Sequence, residues 1–277
     1  MSQWTSVCAH AHTDYGLSST ARIVEYAVKG NPARPCVHYA LVPRDTVGSP
    51  NVTRLRELAR AHPAACSVKV YDVKEEEEMR RVVEEITEEC GDSGVNLVYT
   101  CPDWCEEDAE SQLEDVTEEV LARTFHHNCV VPVLLSKLFY PALQRASHAN
   151  SSQTLNRRRA AIVHMISEAG TLGDHFPDTR GNMYAYSASL AAMIMSMRTM
   201  SYEFNKRKDG ILAFAVITDT PHVTRQELAE CQEDSDVTGE KYDVTMTRDL
   251  IAKVVHSAGE EEHGKCLYFR DGKDVSY

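Results

Sequence analysis

Histidine and cysteine side chains follow two apolar runs of the sequence that have the composition of buried strands. His10, His12 and Asp14 come after the first run, and Cys101 and Cys105 come after a later one. If these runs are neighbouring parallel strands, the side chains meet at the carboxyl edge of one sheet, where Cys and His could bind zinc. The Cys-x-x-x-Cys spacing is loose, and no second close pair accompanies it. The sequence therefore favours ordinary thiols and predicts no metal site.

The elements that would position such residues alternate regularly along the chain. Apolar segments that indicate buried strands lie at 6–9, 36–42, 66–70, 95–100, 160–167, 211–217 and 265–269. Segments with helical periodicity lie at 18–28, 52–61, 75–90, 117–143, 186–205 and 244–257. This alternation predicts a doubly wound α/β fold, in which helices cover both faces of a parallel sheet of about seven strands. The sequence contains no repeat and no linker, so residues 1–277 are predicted to form a single domain.

The charge balance excludes several classes of partner. The 277 residues carry 42 acidic and 29 basic side chains, a formal net charge of −13. Binding of nucleic acid needs a positive footprint, and an anionic membrane surface attracts positive segments. Neither partner is expected. The most apolar stretch, 129–143, is broken by Pro132, Lys137 and Pro141 and is too short to span a bilayer.

The cysteines indicate the compartment. They number nine, an odd count, and they are scattered without a tight framework. Such a pattern predicts reduced thiols rather than disulfides. Residues 1–12 show neither an Arg-rich amphipathic pattern nor a charged-then-apolar signal pattern. We therefore expect a cytoplasmic protein.

Three blocks from residue 128 onwards resemble a known family. They read NCVVPVLLSKLFYPAL from residue 128, AAIVHMISEAGTLG from residue 160 and NMYAYSASLAAM from residue 182. Together with the alternation of elements, they resemble the short-chain dehydrogenase/reductase family, and within it the carbonyl reductases of the sniffer or C-factor type. The resemblance extends over essentially the whole chain. It implies a Rossmann-type fold and the reduction of a carbonyl group by a nicotinamide cofactor.

The resemblance also implies a set of catalytic positions. In the family a Tyr is the general acid/base, a Ser holds the substrate oxygen, an Asn supports a proton relay, and a Lys four residues after the Tyr binds the ribose. Asn128, Ser167 and Tyr186 match three of these positions. The Lys slot holds Leu190. An unperturbed Tyr titrates near 10, so without a neighbouring ammonium Tyr186 lacks the main cause that would bring its pKa towards neutrality.

The loop expected to bind the cofactor also departs from the family. The family pattern after the first strand is Gly-x-x-x-Gly-x-Gly, and only Gly16, followed by Leu17, fits it here. His12 and Ser18 add a Cβ where a glycine allows close approach of the pyrophosphate. Asp14 adds a negative charge beside the expected phosphates. The 13 glycines, about 4.7% of the chain against an average of roughly 7%, agree with this loss.

Other cofactor positions give a mixed result. Residues 100–103 read Thr-Cys-Pro-Asp where the family has Asn-Asn-Ala-Gly, and Thr218 follows the sixth strand where the family has glycine. Asp72 and Val73 stand where the family contacts adenine, and Arg44 matches a position that favours the 2′-phosphate of NADP. We expect that no cofactor binds, and that any cofactor that does bind is NADP.

The last long helix has an unusually wide apolar surface, formed by Met193, Met195, Met197, Met200, Tyr202 and Phe204. Met193, Met197 and Met200 share one face of the helix and are expected to lie in the core. The remaining width exceeds a single buried stripe. By resemblance to the family, helices 117–143 and 186–205 are the expected contact elements. The sequence predicts self-association or protein partners through them.

Three functions remain open. The favoured one is a non-catalytic scaffold or interaction subunit with a remnant site. The alternative is an NADP-dependent carbonyl reductase in which Tyr186 donates the proton, Ser167 orients the carbonyl and Asn128 anchors a relay water. A nucleotide sensor that binds without turnover lies between the two. Fold alone does not choose among them.

Overall fold

The computed structural model describes residues 3–29, 36–72, 74–105, 113–149, 160–173, 183–218 and 244–275. Its strands form one sheet in which every pairing is parallel, in the order β3-β2-β1-β4-β5-β6-β7. They are β1 Trp4–Ala9, β2 Cys36–Pro43, β3 Cys66–Tyr71, β4 Leu97–Thr100, β5 Ala161–Ser167, β6 Leu212–Thr218 and β7 Cys266–Tyr268. The order changes direction between β1 and β4, which is where ligands bind in open sheets of this kind.

Helices connect the strands on both faces of the sheet. They are α1 Asp14–Lys29, α2 Pro50–Ala61, α3 Glu76–Cys90, α4 Glu118–Phe125, α5 Val131–Ala149, α6 Tyr184–Arg207 and α7 Val244–Ser257. Residues from α1, α2 and α7 pack in the core of one face, and residues from α3, α5 and α6 pack in the cores of the other. This confirms the predicted doubly wound fold. None of the helices in the described ranges has the length and the hydropathy needed to cross a bilayer.

Local sequence explains where the helices begin. The hydroxyl of Ser49 accepts a hydrogen bond from the Val52 amide at 3.3 Å, and Pro50 occupies the first helical position of α2. Thr117 caps α4 in the same way through the amide of Val120 at 3.2 Å. Side-chain oxygens at these positions satisfy amides that the helix itself leaves unpaired.

Two predicted helices differ from the structure by more than two residues at a boundary. The segment predicted as a single helix over 117–143 consists of α4 and α5 joined by a π-helical turn at His126–Val130, and α5 continues to Ala149. Periodicity alone does not reveal a one-residue insertion of this kind. Helix α1 starts at Asp14, four residues before the predicted start, because Thr13 accepts a hydrogen bond from the Gly16 amide.

Candidate functional site

A tyrosine and an aspartate from distant parts of the chain meet at the carboxyl edge of the sheet. Tyr186 is fully buried in the first turn of α6, and its hydroxyl donates a hydrogen bond to Oδ1 of Asp103 at 2.8 Å. Asp103 lies in the loop after β4, in the slot where the sequence comparison expected glycine. Ser167 ends β5, and its hydroxyl accepts from the Ala169 amide at 3.2 Å.

The surroundings of Tyr186 keep its hydroxyl protonated. Burial is the largest cause that raises its pKa well above the ordinary value, and the charge of Asp103 and the hydrogen bond to it raise it further. A hydrogen bond with Ser167 acts in the opposite direction without reversing the effect. A tyrosine that donates a proton to the substrate oxygen needs a pKa near the operating pH. The surroundings of Tyr186 shift its pKa away from that range.

The slot of the missing lysine is closed by apolar packing. Leu190 is fully buried and belongs to the same core cluster as Ile166 and Ala169. Gly170 lies so close that a Cβ on it would stand 2.6 Å from the Cβ of Leu190. The space that an ammonium would need is therefore filled by hydrocarbon.

Asn128 holds the loop that carries Asp103. It lies buried in the π-helical turn, and its Oδ1 accepts from the amide of Trp104 at 2.8 Å. Its Nδ2 donates to the carbonyl of Trp104 at 2.9 Å and to the hydroxyl of Ser189 at 3.0 Å. Both donors and the amide oxygen are thus engaged within the chain. The role that the structure gives Asn128 is to position the 103–105 loop.

Three amides of the turn after β1, those of Thr13, Gly16 and Leu17, are hydrogen-bonded within the turn. The Thr13 hydroxyl accepts from the Gly16 amide at 3.0 Å and donates to the His10 carbonyl at 3.0 Å, and the Leu17 amide donates to the Thr13 carbonyl at 2.8 Å. Free amides at such a helix start are what binds phosphate in nucleotide-binding folds. Gly16 instead allows close approach of the chain to itself, since a Cβ there would stand 2.4 Å from the carbonyl oxygen of His10.

A side chain from α2 closes this turn from outside. The Nδ2 of Asn51 donates to the carbonyl of His12 at 3.0 Å and to the carboxylate of Asp14 at 2.9 Å. The left-handed backbone in the turn falls on His10, with φ 61°, rather than on His12, the residue in the expected glycine slot. Leu17 is partly buried against the core beneath α1.

The far end of the expected cofactor cleft is paired internally as well. Arg44 forms an ion pair with Glu78, and the other oxygen of Glu78 accepts from the Asp72 amide at 3.0 Å. The Asp72 carboxylate accepts from the Lys74 amide at 2.9 Å. Val73 lies outside the described residues. The guanidinium that was expected to meet a 2′-phosphate therefore faces a carboxylate.

The structure also brings Trp104 and His127 close to the two histidines of the turn after β1, an arrangement that sequence reasoning missed. The Trp104 ring stacks on His127, with centroids 4.1 Å apart and planes at 11°. The His10 and His12 rings lie 6.2 Å apart in the turn after β1. His-x-His after a strand and a second histidine pair at 126–127 were the available signals. In the described ranges, no group of three or more His, Cys, Asp or Glu side chains is arranged to hold a metal ion.

A small crevice remains between the strand ends. It is lined by Tyr15, Cys101, Pro102, Asp103, Met165, Ser167 and Thr218. Its free volume is about 10 Å³, about the space that one water molecule requires. Ligand pockets are typically 300–1,000 Å³ as a rough range. The crevice thus offers Ser167 and Asp103 to a single small molecule at most.

Comparison with known proteins identifies the family. A profile described as short chain dehydrogenase matches residues 46–230. The chain belongs to the short-chain dehydrogenase family. No curated protein sequence matches it.

Solved structures of short-chain dehydrogenases share the fold over the full length. The carbonyl reductase Sniffer of D. melanogaster is 20% identical with a TM-score of 0.78, and each chain covers 100% of the other. The NADPH-bound carbonyl reductase from chicken fatty liver is 21% identical with a TM-score of 0.80, over 100% of this chain and 96% of that chain. At these identities the likeness concerns the fold.

Helix α6 presents only part of its apolar residues to the surface. Met193 and Met197 are fully buried, and Phe204 is 6% exposed. Met195 and Tyr202 are each 64% exposed and lie seven residues apart, on one side of the helix. The wide apolar surface predicted from the sequence is thus mostly core. We call the exposed remainder, Tyr184, Met195 and Tyr202 of α6 with Val130 of the neighbouring turn, the α6 face.

Proposed function

We propose that this short-chain dehydrogenase chain is a non-catalytic member that acts as an interaction subunit. The observation that carries the proposal is the hydrogen bond from Tyr186 to Asp103. A tyrosine that reduces carbonyls must release its proton to the substrate oxygen. Here the proton is hydrogen-bonded to the partly buried carboxylate of Asp103, and the position that would supply an ammonium is Leu190.

The cofactor side supports the same conclusion. Gly16 and Leu17 donate their amides to Thr13, and Arg44 is paired with Glu78. A dinucleotide would need to displace these bonds and approach the carboxylate of Asp14. A hydrogen bond between neutral groups, such as those to Thr13, contributes about 0.5–1.5 kcal/mol, and one to a charged group contributes about 1.5–3 kcal/mol. The loss of several of them removes most of the free energy that a phosphate contact provides.

The α6 face is the proposed contact surface, occupied by a protein partner or by a second copy of the chain. Its tyrosines and methionine are residue types enriched in protein interfaces. The predicted partner element 186–205 contains most of it, and the acidic charge of −13 favours a protein over nucleic acid.

Nucleotide binding is the direct test of the non-catalytic role. NADPH and NADH are titrated into the full chain by calorimetry, and no heat of binding is expected up to millimolar concentration. Submicromolar binding with turnover of a carbonyl substrate overturns the proposal in favour of an NADP-dependent reductase. Submicromolar binding without turnover overturns it in favour of a nucleotide sensor.

The reductase is the second candidate because two observations favour it. Ser167 and Tyr186 interact at the strand ends, and one structural neighbour is a carbonyl reductase with NADPH bound. In this alternative Tyr186 leaves Asp103 and donates its proton, Ser167 orients the carbonyl and Asn128 anchors a relay water. Arg44 would have to exchange Glu78 for the 2′-phosphate of NADP.

Association is tested by sedimentation of the purified chain at tens of micromolar. A self-associated species is expected, and Met195→Glu is expected to shift it towards monomer because a charge is placed in an apolar contact. Val28→Glu is the matched control, since Val28 is also exposed, at 51%, but lies on α1. A monomeric chain whose cellular partners still bind the Met195→Glu variant contradicts this part of the proposal.

A further inference from the structure

Three histidines and one tryptophan lie close together at the carboxyl edge of the sheet. His127 stacks on Trp104, and His10 and His12 come from the neighbouring turn after β1. His10 and His127 are 3% and 4% exposed, and His12 is partly buried. We call these four residues the histidine cluster. It lies between the two loops that flank the point where the strand order changes direction.

Several polar atoms of the histidine cluster have no hydrogen-bond partner. They include Nδ1 of His12 and Nε1 of Trp104. The ring of His10 has no side-chain hydrogen-bond partner in the described ranges and meets only the backbone of Ala9. A buried polar group without a partner costs free energy, and a buried charge without one costs far more. The closed arrangement therefore tolerates neutral imidazoles and opposes imidazolium.

Charged groups from several of the described elements act on the cluster. The attractive groups are Asp45, in the turn after β2, and Asp103, in the loop after β4. The groups that repel a proton on His127 are His126, Lys74 and Arg123. Burial is nevertheless the largest cause, and it lowers the pKa of His12 and of His127 to about 4. Burial followed by repulsion from His12 and His127 lowers the pKa of His10 well below its ordinary value.

The cluster is part of the closure of both loops. The His10 carbonyl accepts the two hydrogen bonds of Thr13 that shape the turn after β1. The backbone of Trp104 is held by Asn128, and its ring is held by the stack on His127. If the rings separated, the turn after β1 and the segment around Trp104 could both move while the strands stayed in place.

We propose that the histidine cluster is a proton-sensitive latch, which keeps the loops after β1 and β4 closed at neutral pH and releases them as the pH falls. Histidine is the side chain suited to this range. When the loops open, the imidazoles reach water and bind protons at ordinary affinity, so each proton taken up stabilises the open form. The proposed latch does not depend on whether the chain is catalytic.

The size of the effect follows from linkage. A histidine that titrates at about 6.5 in the open form and at about 4 in the closed form raises the opening constant about fourfold between pH 7.5 and 6.0. Because the pKa of His10 is also lowered well below its ordinary value, the three histidines together raise the opening constant about fiftyfold. This range stays above the isoelectric point of about 5.4, so the chain keeps its negative charge.

Hydrogen exchange of the Trp104 amide measures the opening directly, because this amide is bonded to Asn128. After correction for the intrinsic exchange rate, its protection is expected to fall about fiftyfold between pH 7.5 and 6.0. At both pH values the amides of β1 and β4 are expected to stay more strongly protected than the Trp104 amide, because they exchange only when the whole domain unfolds. A fall of less than threefold at Trp104, or a protection of the Trp104 amide that equals that of the strand amides at both pH values, overturns the proposal.

Variants assign the effect to the cluster. His127→Phe keeps an aromatic stack but does not titrate, and it is expected to reduce the fall to about fifteenfold. His12→Gln, at a less buried position, is expected to do the same, so the test does not depend on one variant folding. His148→Gln is the control, because His148 is exposed on α5. An unchanged fall in both cluster variants contradicts the assignment.

Discussion

Removal of the Tyr186 hydroxyl distinguishes a structural tyrosine from a catalytic one. In the structure this hydroxyl donates to the Asp103 carboxylate at 2.8 Å, and Tyr186 is fully buried. A hydrogen bond to a charged group contributes about 1.5–3 kcal/mol, and its loss leaves the carboxylate less well satisfied. Tyr186→Phe is therefore expected to lower the free energy of unfolding by about 1.5–3 kcal/mol. The total for a domain is about 5–15 kcal/mol, so the loss is readily measured.

The assay is urea unfolding at pH 7 of a double-mutant cycle. It compares Tyr186→Phe, Asp103→Ala and the double variant, and the coupling energy is expected to be at least about 1 kcal/mol. Tyr184→Phe is the matched control, since Tyr184 lies two residues away on α6 with 39% exposure, and it is expected to change stability by less than about 0.5 kcal/mol. A coupling energy within about 0.5 kcal/mol of zero refutes the structural role.

Three further predictions follow from buried positions. Leu190→Lys is expected to give no carbonyl reduction in an NADPH oxidation assay. It is also expected to lower the free energy of unfolding in urea by more than about 2 kcal/mol, because it places an ammonium in an apolar core. Carbonyl reduction a hundredfold above that of Tyr186→Phe would contradict the first expectation. Gly16→Ala is expected to cost about 1–3 kcal/mol because its Cβ would meet backbone at 2.4 Å, whereas Gly48→Ala, with nothing within 4 Å, should be nearly neutral by thermal unfolding. Burial lowers the pKa of His164 to about 3, so only the unfolded chain binds a proton at this residue as the pH falls below about 6.5. The free energy of unfolding is therefore expected to fall by about 0.7 kcal/mol from this residue between pH 7 and 6. Urea unfolding of His164→Gln should show a flatter pH dependence, and an unchanged slope would count against the assignment.

The fold could be predicted from the sequence because its evidence is local. Each strand that is buried on both faces is a continuous apolar run, and the helices between them carry their own periodicity. The blocks around Asn128, Ser167 and Tyr186 gave the family, which the profile over residues 46–230 shows. The absent cation at Leu190 could also be read directly, since it depends only on spacing within one helix.

Contacts between loops were decided by the tertiary structure. Asp103 and Tyr186 are 83 residues apart, so no periodicity relates them, although Asp103 was visible as a residue in a glycine slot. The stack of Trp104 on His127 depends on a π-helical turn that periodicity does not reveal.

The methionines of α6 show the same division. Spacing placed Met193 and Met197 on one face and correctly favoured core for them, but it could not say how much of the remaining surface the neighbouring α4 and α5 cover. The structure leaves Met195 and Tyr202 exposed and buries Phe204. The sequence by itself determined which elements form and which chemical groups are missing from the family pattern, because both are local properties. Which side chains occupy the cleft was decided only when the sheet brought its loops together, because burial and hydrogen bonding depend on neighbours distant in the chain.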